Sequence, residues 1–239
     1  MDVSQTYREA WEGFWSAASD QPGEVIWDAD PSLTSVPHSE LLLPYADASL
    51  PIVDLGCGNG TQTRYLATRF ARAIGVDLSH AAIEHARRAD TAGVAEFIQL
   101  NMADGDEVRG LHERIGDTNV YMRAVIHQSE PAVRSAVAAA VATLAGEKGR
   151  AFVVELTSGS RAVLQQASET PGGPPEKLRR VFDHGLKPAS AADEEVQELL
   201  RAAGLTVLAT GDTALAQTEV MPDGSRMDLP ARWFVLAAA

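Results

Sequence analysis

The chain has 239 residues, 45% of them hydrophobic, enough to bury the core of one large domain and to exclude disorder over most of its length. Its net charge of −13, from 20 basic and 33 acidic residues, lacks the basic footprint that nucleic acid requires. Nine acidic residues and one Arg in positions 1–50 carry −8 of that charge. A single cysteine, Cys57, permits no internal disulfide and fits a reducing compartment. No apolar run approaches the roughly 20 residues of a membrane helix. The start MDVSQTYREA lacks the basic-then-apolar order of a secretory signal. A soluble cytoplasmic protein with no membrane or nucleic-acid partner is expected.

Residues 4–18 predict an amphipathic helix, with Tyr7, Trp11 and Trp15 on one face and Phe14 beside them. Three of the four tryptophans, Trp11, Trp15 and Trp27, lie in this N-terminal stretch, as a staple onto the core or as an aromatic wall over a ligand. A second helix is expected over 32–45. Strands at 50–56, 73–78, 94–100, 118–126 and 149–157 then alternate with helices at 61–71, 79–89, 106–115 and 130–145. This alternation predicts a parallel sheet with helices on both faces. PGGPP at 171–175 reads as a loop or lid. A helix at 193–204 precedes strands at 205–220 and 231–238, joined by a hairpin at Pro222, Asp223 and Gly224. Four parts are expected: a helical cap (1–48), a cofactor-binding core (49–157), a lid or acceptor segment (158–190), and a helix with antiparallel strands completing the same domain (191–239).

VDLGCGNGT, residues 53–61, delivers a strand through a glycine-rich turn into a helix. Glycines there permit tight turning and close approach by a ligand. The dinucleotide fingerprint G-x-G-x-x-G fails, because Thr61 stands where the third glycine belongs. Asp54 suits a ligand bearing an amino group and a sulfonium better than a phosphate. Asp77 in GVDLS ends the second strand, 21 residues after Gly56, where a carboxylate accepts from both ribose hydroxyls.

VDLGCGNG, GVDLS and FIQLNMADG together resemble the class I S-adenosylmethionine-dependent methyltransferases, over roughly residues 50–157. The resemblance implies a Rossmann-like, doubly wound α/β sheet of seven strands, mostly parallel with an antiparallel final strand. It implies S-adenosylmethionine as cofactor and S-adenosylhomocysteine as product. Asp54, Gly56 and Gly58, with Cys57, Asn59 and Thr61 of the same loop, go to its methionine end, Asp77 to the ribose and Leu78 to the adenine. Asn101, Met102 and Ala103 follow strand three at the adenine, where the family usually has Asp in place of Asn101. Asp104 is an alternative partner there.

In YMRAVIHQ, residues 121–128, the fourth strand ends where ligands bind such sheets. Arg123 faces the cofactor, an acceptor anion, or a salt bridge to Asp54 or Glu155. His127 is the candidate base or acceptor contact, with Gln128 beside it. Glu155 faces the acceptor or Arg123. Asp183 and His184 follow the lid, and His184 is assigned to the acceptor together with Trp11, Trp15 and Trp27. His80, His85 and His112 are expected on solvated helix surfaces. No His or Cys spacing suggests a metal. The expected activity is methylation of a small molecule, with oxygen as the family's usual target. The alternatives are a cofactor-binding scaffold, a cyclase using the same cofactor, or a nicotinamide oxidoreductase. Acceptor and oligomeric state stay open.

Overall fold

The central parallel strands are short, nearly continuous apolar runs, so both faces of the sheet they form are buried. The computed structural model describes residues 3–169, 172–186, 191–221 and 223–239. Helix α1 (Gln5–Ala17) starts at Ser4, whose side chain accepts from Tyr7 N–H, and α2 (Ser35–Leu42) follows a 3₁₀ turn at Pro31–Leu33. Then come β1 (Ile52–Leu55), α3 (Thr61–Leu66), β2 (Ala73–Asp77), α4 (His80–Ala89), β3 (Glu96–Gln99), α5 (Gly105–Ile115), β4 (Asn119–Arg123), α6 (Arg134–Ala145) and β5 (Ala151–Leu156). The last third holds α7 (Gly159–Ser168), α8 (Glu176–Asp183), α9 (Asp193–Ala202), β6 (Leu205–Val220) and β7 (Arg226–Ala238).

The seven strands lie in the order β3-β2-β1-β4-β5-β7-β6. β1 to β5 are parallel, and β7 runs antiparallel to both β5 and β6. Val53, Leu55, Val120 and Met122 face one side, against α5, α6 and α9. Ile52, Tyr121, Phe152 and Val154 face the other, against Leu42 of α2 and Leu66 of α3. The strand order reverses between β1 and β4, and that is where an α/β sheet opens a crevice for ligands. No helix among the described residues is long and apolar enough to cross a membrane.

Three differences from the sequence expectation have a visible physical reason. β4 ends at Arg123 rather than 126, because Ala124 turns into the left-handed region at φ 60°. β7 begins at Arg226 rather than 231. Its Pro230 sits just past the end of β5 and accepts there from Thr157 N–H at 3.0 Å, so no N–H is missed in the ladder to β6. The described part of 158–190 is more than a loop: it holds α7 and α8, while residues 187–190 of that expected segment lie outside the described residues. Ala167, Leu178 and Val181 of these helices bury against Phe14, Trp15, Met227 and Leu229. Thr170 and Pro171, at the start of the expected lid motif, and Pro222 of the hairpin lie outside the described residues.

His85 is not solvated. It is buried, its Nε2 2.9 Å from Trp15 O and its Nδ1 2.5 Å from Asp20, so it clamps the end of α1 onto α4. His112 is half-buried and pairs with Asp117 at 3.0 Å, while His80 is exposed.

Gly60 closes the nucleotide loop at φ 74°, and a Cβ there would stand 2.5 Å from the buried Phe97 ring. Gly60→Ala is therefore expected to cost about 2 kcal/mol through backbone strain and overpacking, read as a lower urea midpoint at unchanged m-value.

Candidate functional site

The loop after β1 is fastened by its own backbone and by one carboxylate. Gly56 and Cys57 N–H both donate to Val76 O, at 2.9 and 3.0 Å. Asp77 accepts from Gly58 N–H at 3.0 Å and Ser79 N–H at 2.9 Å, so the acid that ends β2 also holds the turn. Asp54 accepts from Thr63 Oγ1 at 2.6 Å. Burial pushes both carboxyls up to about 6. Thr63 and Arg123 oppose the shift at Asp54, and the Ser79 and Gly58 N–H groups oppose it at Asp77. Neither acid forms an ion pair among the described residues, and both line the cavity over the switch point. Burial raises the Cys57 thiol as well, which makes it an inert filler of the loop.

Leu78, Asn101, Met102 and Ala103 line the same cavity. Asn101 Oδ1 accepts from Ala103 N–H at 3.0 Å and so fixes this wall. Asp104, the sequence alternative, instead caps α5 through Asp106 and Glu107 N–H. An Asx-type cap explains it without a ligand.

The turn after β4 is built around Glu155 of β5. Its carboxylate accepts from Val125 N–H (2.9 Å), Ile126 N–H (2.7 Å) and His127 N–H (3.1 Å), and its Oε2 lies 2.7 Å from His127 Nδ1. Arg134 supports the turn from below through Ser129 O and Glu195. Glu155 thus pairs with His127, not with Arg123. Arg123 bridges neither Asp54 nor Glu155: it donates to Trp27 O at 3.0 Å and faces the cavity. Behind it Tyr121 meets His38 Nδ1 at 2.8 Å. Burial raises the Tyr121 phenol and lowers His38 to about 3, so His38 is neutral.

α1 roofs the cavity. Trp11, Trp15 and Trp27 line it, with Trp27 5.1 Å from the Phe14 ring. A Cβ on Gly58 would touch Trp15 at 2.8 Å, so only glycine lets the indole lie on the loop. Ser4 Oγ donates to Glu130 at 2.6 Å, and Glu12 accepts from Ser79 Oγ at 2.7 Å at the start of α4. Tyr7 lines the cavity too, its phenol raised to about 12 by burial.

Asn59, His127 and Gln128 also reach the cavity, but two assigned residues do not. Thr61 turns away to Asn59 Oδ1 and Arg64, as the first residue of α3. His184 sits behind Phe14, edge-on at 5.7 Å, with Nδ1 at Arg180 O. Asp183 is exposed on α8. The sequence reading missed Tyr7, Glu12, Tyr121 and the hairpin residues Leu215, Gln217 and Leu229. Tyr7 shares the helical face of Trp11 and was recoverable from that spacing. The hairpin residues carried no such signal. No group of three or more His, Cys, Asp or Glu among the described residues could hold a metal ion.

Residues 52–149 match the methyltransferase domain family. Over 100% of this chain and 98% of the other, the fold is similar to an S-adenosylmethionine-dependent methyltransferase from Anabaena variabilis, at TM-score 0.90 and 28% identity. Residues 52–149 thus carry a methyltransferase domain. A trans-aconitate 2-methyltransferase from Paracidovorax citrulli is 46% identical over 71 residues, 28% of this chain and only 26% of that relative's length. Magnesium protoporphyrin IX methyltransferase from Synechocystis shares the fold at TM-score 0.55, with 17% identity over 87% of this chain and 82% of that one. S-adenosylmethionine is the family's cofactor, and the residues present fit it. The buried Asp54 and the half-buried Asp77, neither in a salt bridge among the described residues, suit its ammonium, sulfonium and ribose diol, and an apolar wall suits its adenine.

Cofactor affinity should follow the two acids. Their raised pKa puts protons on them as pH falls through about 6, and a protonated acid is a poorer acceptor for the ribose and ammonium groups. Calorimetry with S-adenosylhomocysteine should show affinity fully present above pH 7 and about tenfold weaker at pH 5. Asp77→Asn should weaken binding about 30-fold at pH 7.5 and flatten this dependence, because one of the two protonatable acceptors is gone.

Proposed function

We propose that this methyltransferase methylates a hydroxyl oxygen of a small, mostly apolar acceptor, with His127 as the base. The single observation that carries this reading is the pairing of His127 with Glu155. A carboxylate that collects three backbone N–H groups is an acceptor only. Nδ1 of His127 therefore carries the proton, and the Nε2 lone pair is left for an incoming hydroxyl. An ionised carboxylic acid would need no such base, so the dyad favours an alcohol or phenol.

When bound, the cofactor would supply an activated methyl, which the acceptor oxygen would take in line as the thioether sulfur leaves. The chain's own work is alignment, exclusion of water and removal of one proton. Asp77 holds the ribose in this reading. Asp54 and Arg123 take the ammonium and carboxylate of the methionine end, on the loop of Gly56, Cys57, Gly58 and Asn59. Leu78, Asn101, Met102 and Ala103 take the adenine. Trp27, Leu178, Val181, Leu215 and Leu229 form an apolar chamber for the acceptor, with Gln128 at its edge. Residues 1–48 act as a cap, 158–190 as the acceptor segment, and 191–239 complete the domain.

A labelled-methyl screen over phenols, alcohols, carboxylic acids and amines tests the acceptor class: label in the phenol or alcohol arm supports it, and label in the acid arm alone refutes it. With an acceptor in hand, His127→Ala should keep S-adenosylhomocysteine affinity and lower kcat by about 10²–10⁴-fold. Unchanged turnover in that variant removes His127 from the chemistry.

A further inference from the structure

The chamber wall is thin on one side. His127, Leu156 and Leu164 face the cofactor cavity and also a second cavity. This second cavity lies between the end of β5, α7 and Phe182 of α8, and it reaches the surface at the exposed Ser158, Arg161 and Gln165. Among the described residues, three side chains, one of them the candidate base, are shared by the methyl-transfer chamber and this second cavity.

We infer that the acceptor reaches the methyl group through this second cavity, passing Leu156 and Leu164 to the His127 ring, while the cofactor occupies the first cavity beneath α1. The inference rests on the reading of His127 as the acceptor-facing base. Two observations point to separate routes. The first cavity is roofed by a helix pinned at both ends: Ser4 to Glu130 at one, Trp15 O to His85 and Asp20 to Arg88 at the other. The far wall is closed by packing, because Leu178, Val181 and Leu229 belong to one buried cluster with Phe14 and Trp15.

The lining of the second route narrows the acceptor further. Its inner part is apolar, formed by Leu156, Leu164 and Phe182. Its hydroxyls are engaged with the backbone: Thr157 and Ser160 donate to Pro230 O, and Ser168 donates to Leu164 O. The charged group at the mouth is the exposed Arg161, a donor only. The acceptor is then a slender apolar alcohol or phenol carried on a larger, acceptor-rich body that stays outside the chamber.

Diethyl pyrocarbonate, which acylates an accessible neutral imidazole, reads this route without requiring turnover. Labelling is mapped by mass spectrometry, with exposed His80 as the internal reference. His127 should be labelled at nearly the same rate in the free protein and in the S-adenosylhomocysteine complex. Ser168→Trp and Gln165→Trp, which fill only the second cavity, should each slow it about tenfold with S-adenosylhomocysteine affinity unchanged. The unchanged affinity shows that the variants fold. Labelling that is abolished by S-adenosylhomocysteine and indifferent to both tryptophans overturns the route. It leaves the role of His127 as a base to be judged on the turnover of His127→Ala.

Discussion

The carboxylate of Glu155 gathers three consecutive backbone N–H groups and one imidazole nitrogen, and the shape of the acceptor side follows from that convergence. A parallel strand must end in a turn whose N–H groups have lost their ladder partners, and buried donors without acceptors are costly. β5 supplies the acceptor from the neighbouring strand. The left-handed Ala124 is the local cost of turning Val125, Ile126 and His127 toward it. One side chain thus satisfies the turn, selects the tautomer of His127 and fixes where that ring stands.

The cofactor side is organised by a second acid in the same manner. Asp77 holds Gly58 and Ser79 through their N–H groups, so the nucleotide loop and the start of α4 share one anchor. Glu12 of α1 reaches the same helix start. Roof, loop and ribose acid therefore meet within a few residues. Glu12 adds to the upward push on Asp77, which couples the placement of α1 to the charge the cofactor finds. The acidic N-terminal region is spent partly in this way, as a structural clasp rather than a surface field.

Much of the sheet was legible because buried parallel strands read as short apolar runs between glycine or polar stops. VDLG and GVDLS were legible as strand ends for that reason. Element ends were less legible where a backbone angle decided them. Nothing in RAVIH announces a left-handed alanine, and nothing in MDLP announces that a proline can sit in a central strand beside the end of its neighbour. Thr61 and His184 do not line the cavity, because adjacency in sequence does not fix orientation. A helix start turned Thr61 toward Asn59, and the Phe14 ring screened His184 from the chamber.

The sequence by itself determined the fold class and where the glycine-rich loop and the acid ending the second strand lie, because these depend on local patterns of glycine, apolar run and carboxylate within about thirty residues. It also placed His127 at the right end of the right strand. Only the tertiary structure decided that His127 has Glu155 as its partner, that Arg123 does not, and that a second cavity abuts the same ring. Those facts depend on strand register and on helices packed from distant parts of the chain. Arg123 aligns with Val154 across β4 and β5, one residue short of Glu155, and no local pattern encodes that offset.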